Sequence, residues 1–291
     1  MKKLTLLLLL FAYASLCKAQ YTLDIINIPA KNKNIFIASK GASLDIIGYD
    51  GDDIIVKPLA PAPATKAPAV ASGLKLISSA TDAAGSFKPE ITQKTDKIIA
   101  INLPESSFKD IQILVPKNAY LNVTFFTALK VQSALTTGST RSKISLSKLN
   151  GELNLIGSAT LISLNDVKGP ITIDARDNGS AMAGAQKVII SYLNTAKFKP
   201  VETDKPKPLI NIIARYADVD ISLPASLKAS IKGDITYGDL YSDLALTPAT
   251  PDAAAAKNLY TSNLNGGGDI ISIYAGYGNV YIRKQQSFKV N

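Results

Sequence analysis

The stretch Gly276-Tyr-Gly-Asn-Val-Tyr-Ile-Arg-Lys284 contains the unit from which most of this chain is built. A turn is followed by apolar residues that alternate with polar ones, and the alternation recurs in Ile210-Asn-Ile212, Val219-Asp-Ile221 and Ile271-Ser-Ile273. Successive side chains of a β-strand point to opposite faces of the sheet, so this pattern is typical of strands with one buried face. The repeated unit predicts an all-β protein with little helix.

Short strands follow one another at nearly even spacing in the centre of the chain. Their apolar pairs begin at Ile111, Leu121, Leu129, Ile144, Leu153, Leu161 and Ile171. Such spacing also suits a sandwich or a barrel. The very short strands, and isolated turn residues such as Asn150-Gly151, favour the corners of a coil. Three strands about nine residues apart would form a coil of about 27 residues, so we expect a parallel β-helix with Ile, Leu and Val stacked inside.

Residues 1–19 have the features of a secretory signal peptide, with Lys2 and Lys3, an apolar run, and small residues before a cut after Ala19. We therefore expect an exported protein, periplasmic, at the cell surface or extracellular, with residues 20–291 as a single β-solenoid domain. A bulky Leu16 before Cys17 disfavours lipid attachment at that cysteine. No later apolar run reaches the ~20 residues that a membrane-spanning helix needs.

Three segments interrupt the strand pattern, at residues 58–72, 197–208 and 247–257. They are rich in Ala, Pro or Lys and lack the apolar residues to form a core, so we expect loop insertions that project from the coil. Such loops could form a recognition surface, or they could decorate the coil without a binding role.

The amino-acid composition excludes several classes of active site. The sequence has no histidine, so it lacks the commonest general base near neutral pH and the commonest metal ligand. Its one cysteine, Cys17, lies in the signal peptide, so the chain without that peptide has no disulfide, thiolate metal site or cysteine nucleophile. Removing the three lysines of the signal from the 32 basic residues leaves 29 against 23 acidic ones, a net charge of about +6. These charges are scattered and are not interleaved with aromatic residues, so we expect no nucleic-acid partner.

The C-terminal units carry a family resemblance in Ala217-Asp-Val-Asp-Ile-Ser-Leu-Pro224, Gly233-Asp-Ile-Thr-Tyr-Gly-Asp-Leu-Tyr-Ser-Asp243 and Asn265-Gly-Gly-Gly268 with the strands that follow it. In these residues the chain resembles the "putative adhesin" family of exported bacterial β-solenoid proteins, of the Bacteroidetes type. The resemblance is clearest over residues 210–284 and continues more weakly over 98–190. It implies a right-handed, single-stranded parallel β-helix with an exported location and no catalytic residues.

Two acidic turns are the candidates for a cation site. In Asp174-Ala-Arg-Asp-Asn-Gly179, Arg176 stands where an oxygen ligand is needed and Ala185 takes the twelfth position, so a polar turn is the better interpretation. Tyr49-Asp-Gly-Asp-Asp53 offers three carboxylates, but Asp-Gly is also a common turn pair. We predict neither a metal nor a cofactor.

Two further patterns have structural explanations. Ser106-x-x-Lys109 and Ser145-x-x-Lys148 have the spacing of some serine acyl-enzymes, but both lie in strand-and-turn sequence without the companion motifs. Gly266-Gly-Gly268 lacks the spacing of a phosphate-binding loop and no helix follows it, so we expect a tight chain reversal there.

Tyrosine is concentrated in the last third of the chain, where equivalent positions of successive coils would form a stripe. Exposed rings could stack on sugars, whereas tyrosines in strands more often pack beside β-branched neighbours or cover a coil end. We assign shielding of the final coil to Tyr277 and Tyr281, with Arg283 and Lys284 discouraging further stacking. The candidate surface-recognition residues are Tyr216, Tyr237, Tyr241, Tyr260 and Tyr274.

The leading hypothesis is therefore an exported, non-enzymatic, adhesin-like protein that binds a glycan or envelope polymer, or serves a structural role, at the cell envelope. The alternative is a polysaccharide hydrolase or lyase, because parallel β-helices also carry such enzymes. That alternative requires carboxylates about 5 to 9.5 Å apart in a cleft, with Asp174 and Asp177 as candidates.

Overall fold

The computed structural model describes residues 25–59, 88–103, 110–126, 143–158, 161–175, 186–193, 207–248 and 259–286. These residues contain strands and turns but no helix, which confirms the predicted all-β class. No membrane-crossing helix of sufficient length and hydrophobicity occurs among them. The strands are β1 (Ile26–Pro29), β2 (Asn34–Lys40), β3 (Ser43–Tyr49), β4 (Asp53–Pro58), β5 (Glu90–Thr95), β6 (Ile98–Leu103), β7 (Asp110–Pro116), β8 (Leu121–Phe126), β9 (Lys143–Leu149), β10 (Leu153–Ser158), β11 (Leu161–Val167), β12 (Ile171–Ala175), β13 (Gln186–Leu193), β14 (Ile210–Ala214), β15 (Ala217–Leu223), β16 (Ala229–Ile235), β17 (Leu240–Ser242), β18 (Thr247–Pro248), β19 (Leu259–Leu264), β20 (Asp269–Ala275) and β21 (Val280–Lys284).

The strands form two mixed sheets. Among the described residues, sheet A has ten strands in the order β1-β4-β7-β3-β9-β11-β13-β15-β21-β17, and sheet B has eleven in the order β18-β19-β16-β20-β14-β12-β10-β8-β2-β6-β5. The inner strands of both sheets pair in parallel, whereas β1, β4, β5, β18 and β19 pair antiparallel near the sheet ends. The structure therefore corrects the prediction that all strands pair in parallel, whereas the right-handed, single-stranded form of the β-helix stays a prediction. The antiparallel strands arise where the chain reverses direction at the ends of the stack, and local alternation contains no information about strand direction.

The repeated structural unit has two strands, one in each sheet. The chain passes from β10 in sheet B to β11 in sheet A, and then returns to sheet B as β12, which pairs with β10. Leu161 accordingly pairs with Lys143, 18 residues earlier in the chain. The predicted coil of three strands and about 27 residues is wrong, because two facing sheets already enclose the apolar side chains.

The inward faces of the two sheets share one apolar core. Burial alternates along the strands, as in β15, where every second side chain from Ala217 to Leu223 is buried. Parallel register places buried residues of successive units beside one another, so that Ile173 pairs with Ile212 and Ile212 with Ile273. These aliphatic columns fix the register, since a shift of one residue would expose them.

The order of units in space differs from their order in the chain. The unit β20–β21 lies between β14–β15 and β16–β17 in both sheets. The assignment of Tyr277 and Tyr281 to the end of the last coil is therefore wrong, because a further unit stacks beyond them. The unit β2–β3 is inserted in the same way, between β6–β7 and β8–β9.

The turn at 265–268 produces this insertion at the C-terminal end. It carries the chain from β19, on one side of β16, to β20 on the other side. The Asn265 side-chain amide donates hydrogen bonds to the carbonyls of Ala225 (2.7 Å) and Leu227 (2.8 Å), which ties the turn to the residues before β16. Gly266 and Gly267 have φ near +84°, the left-handed region that favours glycine. The expected chain reversal at Gly266–Gly268 is present.

The predicted insertions lie mostly outside the described residues. Within them, Pro58 ends β4, Leu59 follows it, residues 207–208 precede β14, and Thr247–Pro248 form β18. The remaining parts of 58–72, 197–208 and 247–257 belong to the part of the chain that the structure does not describe.

The close approach of successive units predicts a sharp difference between two glycines. A Cβ at Gly278 would lie 2.1 Å from the Ala217 carbonyl oxygen, whereas the nearest atom to a Cβ at Gly233 is 3.6 Å away. Neither glycine has a positive φ, so the comparison isolates steric fit. We expect Gly278→Ala to lower the free energy of unfolding by about 1–3 kcal/mol, and Gly233→Ala to change it little or to raise it by up to about 1 kcal/mol. Urea unfolding of both variants measures this, and equal effects would contradict the tight packing of units at Gly278.

Candidate functional site

Three successive units turn from sheet B to sheet A through similar four-residue segments. Each has a tyrosine, then a small residue, then aspartate or asparagine. In spatial order they are Arg215-Tyr-Ala-Asp218, Gly276-Tyr-Gly-Asn279 and Thr236-Tyr-Gly-Asp239. The equivalent residues of these segments therefore lie side by side.

Main-chain hydrogen bonds continue through these turns. The Tyr277 N–H donates to the Arg215 carbonyl (2.8 Å), and the Tyr237 N–H donates to the Gly276 carbonyl (3.0 Å). A Cβ at Gly238 would lie 2.0 Å from the Gly278 carbonyl oxygen, so the small residue in the segment allows this approach. The turns are thus held as closely as neighbouring strands.

In the first two segments, the side chain of the last residue accepts a hydrogen bond from the next unit. The Asn279 N–H donates to Asp218 Oδ1 (2.9 Å), and the Asp239 N–H donates to Asn279 Oδ1 (3.0 Å). Short side chains with an acceptor oxygen satisfy main-chain donors that a turn would leave open. This explains the requirement for aspartate or asparagine at that position.

The three turn tyrosines form a stack, here called the corner ladder. The Tyr277 ring lies 4.9 Å from Tyr216 and 4.7 Å from Tyr237, with interplanar angles of 11° and 15°. The guanidinium of Arg215 lies 5.5 Å from the centre of the Tyr216 ring. These spacings match the ~4.7–4.9 Å distance between neighbouring strands, so the backbone register itself stacks the rings.

A second stack, here called the sheet ladder, lies on the outer face of sheet A. Tyr281 and Tyr241 are opposite each other in register, and their rings are 5.2 Å apart at 13°. The Arg283 guanidinium lies 5.1 Å from the centre of the Tyr281 ring, and its Nε donates to both carboxylate oxygens of Asp220 at 2.9 and 3.1 Å. This hydrogen bond raises the pKa of Arg283 above its ordinary value.

Four rings of these ladders, Tyr216, Tyr237, Tyr241 and Tyr281, have one face without an aromatic neighbour among the described residues. A guanidinium lies over the ring of Tyr216 and of Tyr281, which leaves the faces of Tyr237 and Tyr241. Tyr277 is covered on both sides by Tyr216 and Tyr237, whereas Tyr237 and Tyr241 each stack on a single ring of the described chain. Tyr237 is 70% exposed and Tyr241 is 49% exposed. Both belong to the unit β16–β17, whose strand β17 is an edge of sheet A. The two faces therefore lie at the same end of the stack.

The five tyrosines singled out from the sequence occupy three places. Tyr216 and Tyr237 belong to the corner ladder and Tyr241 to the sheet ladder. Tyr274 lies on the outer face of sheet B opposite Asp234, and Tyr260 lies opposite Gly233 in β19. Sequence reasoning missed the linking roles of Tyr277 and Tyr281. The signal for the corner ladder was present in the recurring pattern of tyrosine, small residue, then aspartate or asparagine.

Two of the three carboxylates of the acidic turn at 49–53 pair with lysines. Asp50 pairs with Lys117, and Asp52 lies 3.3 Å from the amine of Lys31. The Tyr49 hydroxyl donates to the Asp53 carbonyl at 2.7 Å, which closes the turn. Across the described residues, no three His, Cys, Asp or Glu side chains come together in a group suited to a metal ion.

The remaining candidates do not form a described catalytic group. Asp174 lies in β12, while Asp177 lies outside the described residues, so their pairing stays a hypothesis. Ser145 lies in strand β9, as expected, and Lys148 has φ of 56° near the end of that strand. The pair Ser106 and Lys109 is also outside the described part of the chain.

Comparison with known proteins does not assign this chain to a family. No protein-family model matches the chain, and a search of curated proteins found no match. Among solved structures, the chain is similar to one described as a "putative cell adhesion protein" from Clostridium sporogenes, with 12% sequence identity and a TM-score of 0.41. The match covers 91% of this chain and 100% of that chain. Membership of the Bacteroidetes-type family stays a prediction.

The sheet ladder predicts an altered titration of Tyr241. Its hydroxyl donates to Asp239 Oδ2 at 3.2 Å, and this hydrogen bond, together with the negative charge of Asp239, raises the pKa of Tyr241 above its ordinary value. The interaction therefore stabilises the folded chain at pH values below the ordinary tyrosine pKa. This stabilisation is lost as the pH rises through the raised pKa of Tyr241. We expect Asp239→Asn to lower the pKa of Tyr241, because the carboxylate charge is removed.

Ultraviolet absorbance of tyrosinate measures this titration, and subtracting the curve of Tyr241→Phe isolates the residue. The same subtraction is repeated in the Asp239→Asn background. An unchanged difference curve would show that Asp239 does not control Tyr241.

Proposed function

We propose that this chain is an exported, non-enzymatic binding protein of the cell envelope, adhesin-like in that it holds a surface glycan. The parallel two-strand units would act as a solenoid scaffold that presents the binding surface. The signal-like residues 1–19 and the family resemblance of residues 210–284 support the location and the class. The observation that carries the binding role is the exposure of Tyr237 and Tyr241 as the outer members of two ladders.

The two outer rings are suited to a flat, weakly polar partner. A tyrosine ring offers a large apolar face and a hydroxyl that can hydrogen-bond, and a sugar ring presents a face of C–H groups edged by hydroxyls. Tyr237 is backed by Tyr277, and Tyr241 is backed by Tyr281 and held by Asp239. Ring positions fixed before binding reduce the conformational entropy lost on association.

The absence of an enzymatic role is part of the proposal. A glycoside hydrolase of the common type needs two carboxylates flanking the scissile bond. Near the exposed rings, Asp239 binds the Tyr241 hydroxyl and Asp243 Oδ1 accepts a hydrogen bond from the Lys284 N–H (2.6 Å). These carboxylates serve the fold around the ladders, so the exposed faces are better suited to holding a glycan than to cleaving one.

The experiment measures binding of the purified chain to immobilised neutral polysaccharides, namely cellulose, β-1,3-glucan, xylan and mannan. For the polysaccharide that binds, we expect Tyr237→Ala and Tyr241→Ala each to weaken affinity by about tenfold, equivalent to about 1.4 kcal/mol. Phenylalanine at either position should retain most of the binding, because the ring face remains.

Tyr274→Ala is the matched control, since Tyr274 is also exposed but lies on the outer face of sheet B. Thermal unfolding of each variant separates loss of binding from loss of fold. Binding that survives both ladder substitutions, or that depends instead on Tyr274, would refute the role of the ladders.

A further inference from the structure

A groove of about 570 Å³ lies far from the exposed faces of Tyr237 and Tyr241 along the stack. Three turns form it: residues 30–33 between β1 and β2, 50–52 between β3 and β4, and 117–120 between β7 and β8. Its volume lies within the ~300–1,000 Å³ typical of small-ligand sites. The strands around it belong to the other end of both sheets, so this groove is separate from the ladders.

The groove contains one lysine without an acidic partner. Lys117, in its lining, pairs with Asp50, and Lys31 beside it pairs with Asp52. Lys33 also lines the groove and is half-buried, and no carboxylate of the described residues pairs with its amine. Of the lysines that line the groove, Lys33 is therefore the one outside these ion pairs, which favours a ligand with a negative group.

Amide side chains line the same groove. Asn32, Asn34 and Asn118 line the groove, and each amide offers both a donor and an acceptor. The Asn118 Oδ1 accepts a hydrogen bond from the side-chain amide of Asn150 (3.3 Å). This bond restricts the orientation of the Asn118 amide. Vicinal hydroxyl groups, which also donate and accept, are the complementary partners.

Two tyrosines, Tyr49 and Tyr120, complete the lining. Tyr120 lines the groove, and its ring packs against Phe36 with centroids 6.0 Å apart. Contact with Phe36 limits the positions that this ring can adopt. The groove therefore offers a ligand apolar contact with an aromatic ring, hydrogen bonds with neutral amides, and one unpaired positive charge.

We propose that this groove binds an acidic saccharide, a sugar unit that carries one carboxylate or sulfate group. Lys33 pairs with the acidic group, the asparagine amides bind sugar hydroxyls, and Tyr120 contacts the sugar ring. A single unpaired cation among three amides favours such a ligand over an acidic peptide, which would bring several charges and few hydroxyls. This site does not depend on the neutral-glycan binding assigned to the tyrosine ladders.

Calorimetric titration of the purified chain tests the proposal with five probes. They are a glucuronic-acid disaccharide, its neutral glucose counterpart, a disaccharide bearing one sulfate, an aspartate-rich peptide and inorganic sulfate. We expect the carboxylated or the sulfated sugar to bind at least tenfold more tightly than the neutral sugar. The comparison of the carboxylated sugar with the sulfated sugar identifies which acidic group Lys33 binds.

Lys33→Gln should weaken binding of the acidic sugar at least tenfold, while Lys33→Arg retains most of it because the charge remains. Lys232→Gln is the matched control, as Lys232 is an exposed lysine on the outer face of sheet B and should leave binding unchanged. Asn32→Ala and Asn118→Ala should weaken the acidic and neutral sugars alike.

Four results would overturn the proposal: no binding of either acidic sugar, equal binding of the neutral sugar, tighter binding of the peptide or inorganic sulfate, or indifference to Lys33→Gln. The variant with both Tyr237 and Tyr241 changed to alanine should bind the acidic sugar normally. If the ladders fail to bind polysaccharide, the proposal of an acidic-sugar site in the groove therefore still stands. If the groove fails to bind an acidic sugar, the proposal for the ladders still stands.

Discussion

Parallel hydrogen bonding between equivalent strands is the constraint on which the rest of this structure depends. It places each residue about 4.7–4.9 Å from its counterpart in the next unit. Inside the sheets this register stacks Ile212 on Ile273, and in the turn that follows it stacks Tyr216 on Tyr277. The aliphatic core and the aromatic ladders are thus two results of one repeat. Any residue type that recurs in the unit becomes a continuous column in space.

The inserted units make the stack more interdependent than a simple coil would be. In sheet A, β15 and β17 are joined only through β21 among the described strands, and β21 belongs to the last unit of the chain. In a solenoid built in chain order, a terminal unit has one neighbour and can separate alone. Here the last unit has neighbours on both sides, so its loss would expose two strand edges. The sheet ladder follows from this insertion, because Tyr281 meets Tyr241 only when β21 lies beside β17.

Local features of the structure could be predicted from the sequence, whereas long-range pairings could not. Alternation in segments such as Val219-Asp-Ile221 correctly indicated strands with one buried face, because burial acts on each strand separately. The number of strands in each coil, and the position of β20–β21 in the stack, depend on which distant segments of the chain pair. The turn at Asn265 decides the latter through bonds to Ala225 and Leu227, 40 and 38 residues away. For the same reason the tyrosine enrichment was visible, but its division into ladders was not.

The two proposed sites are held at a fixed separation by the same register. From β3, beside the groove, to β17, which carries Tyr241, sheet A has six inter-strand steps, or about 29 Å at the usual strand spacing. A polymer with acidic units could occupy both sites only if it spans that distance, and the gain in avidity is greatest when its length matches the span. A shorter glycan would occupy one site at a time. The repeat therefore sets the minimum length of a ligand that can engage both ends of the protein.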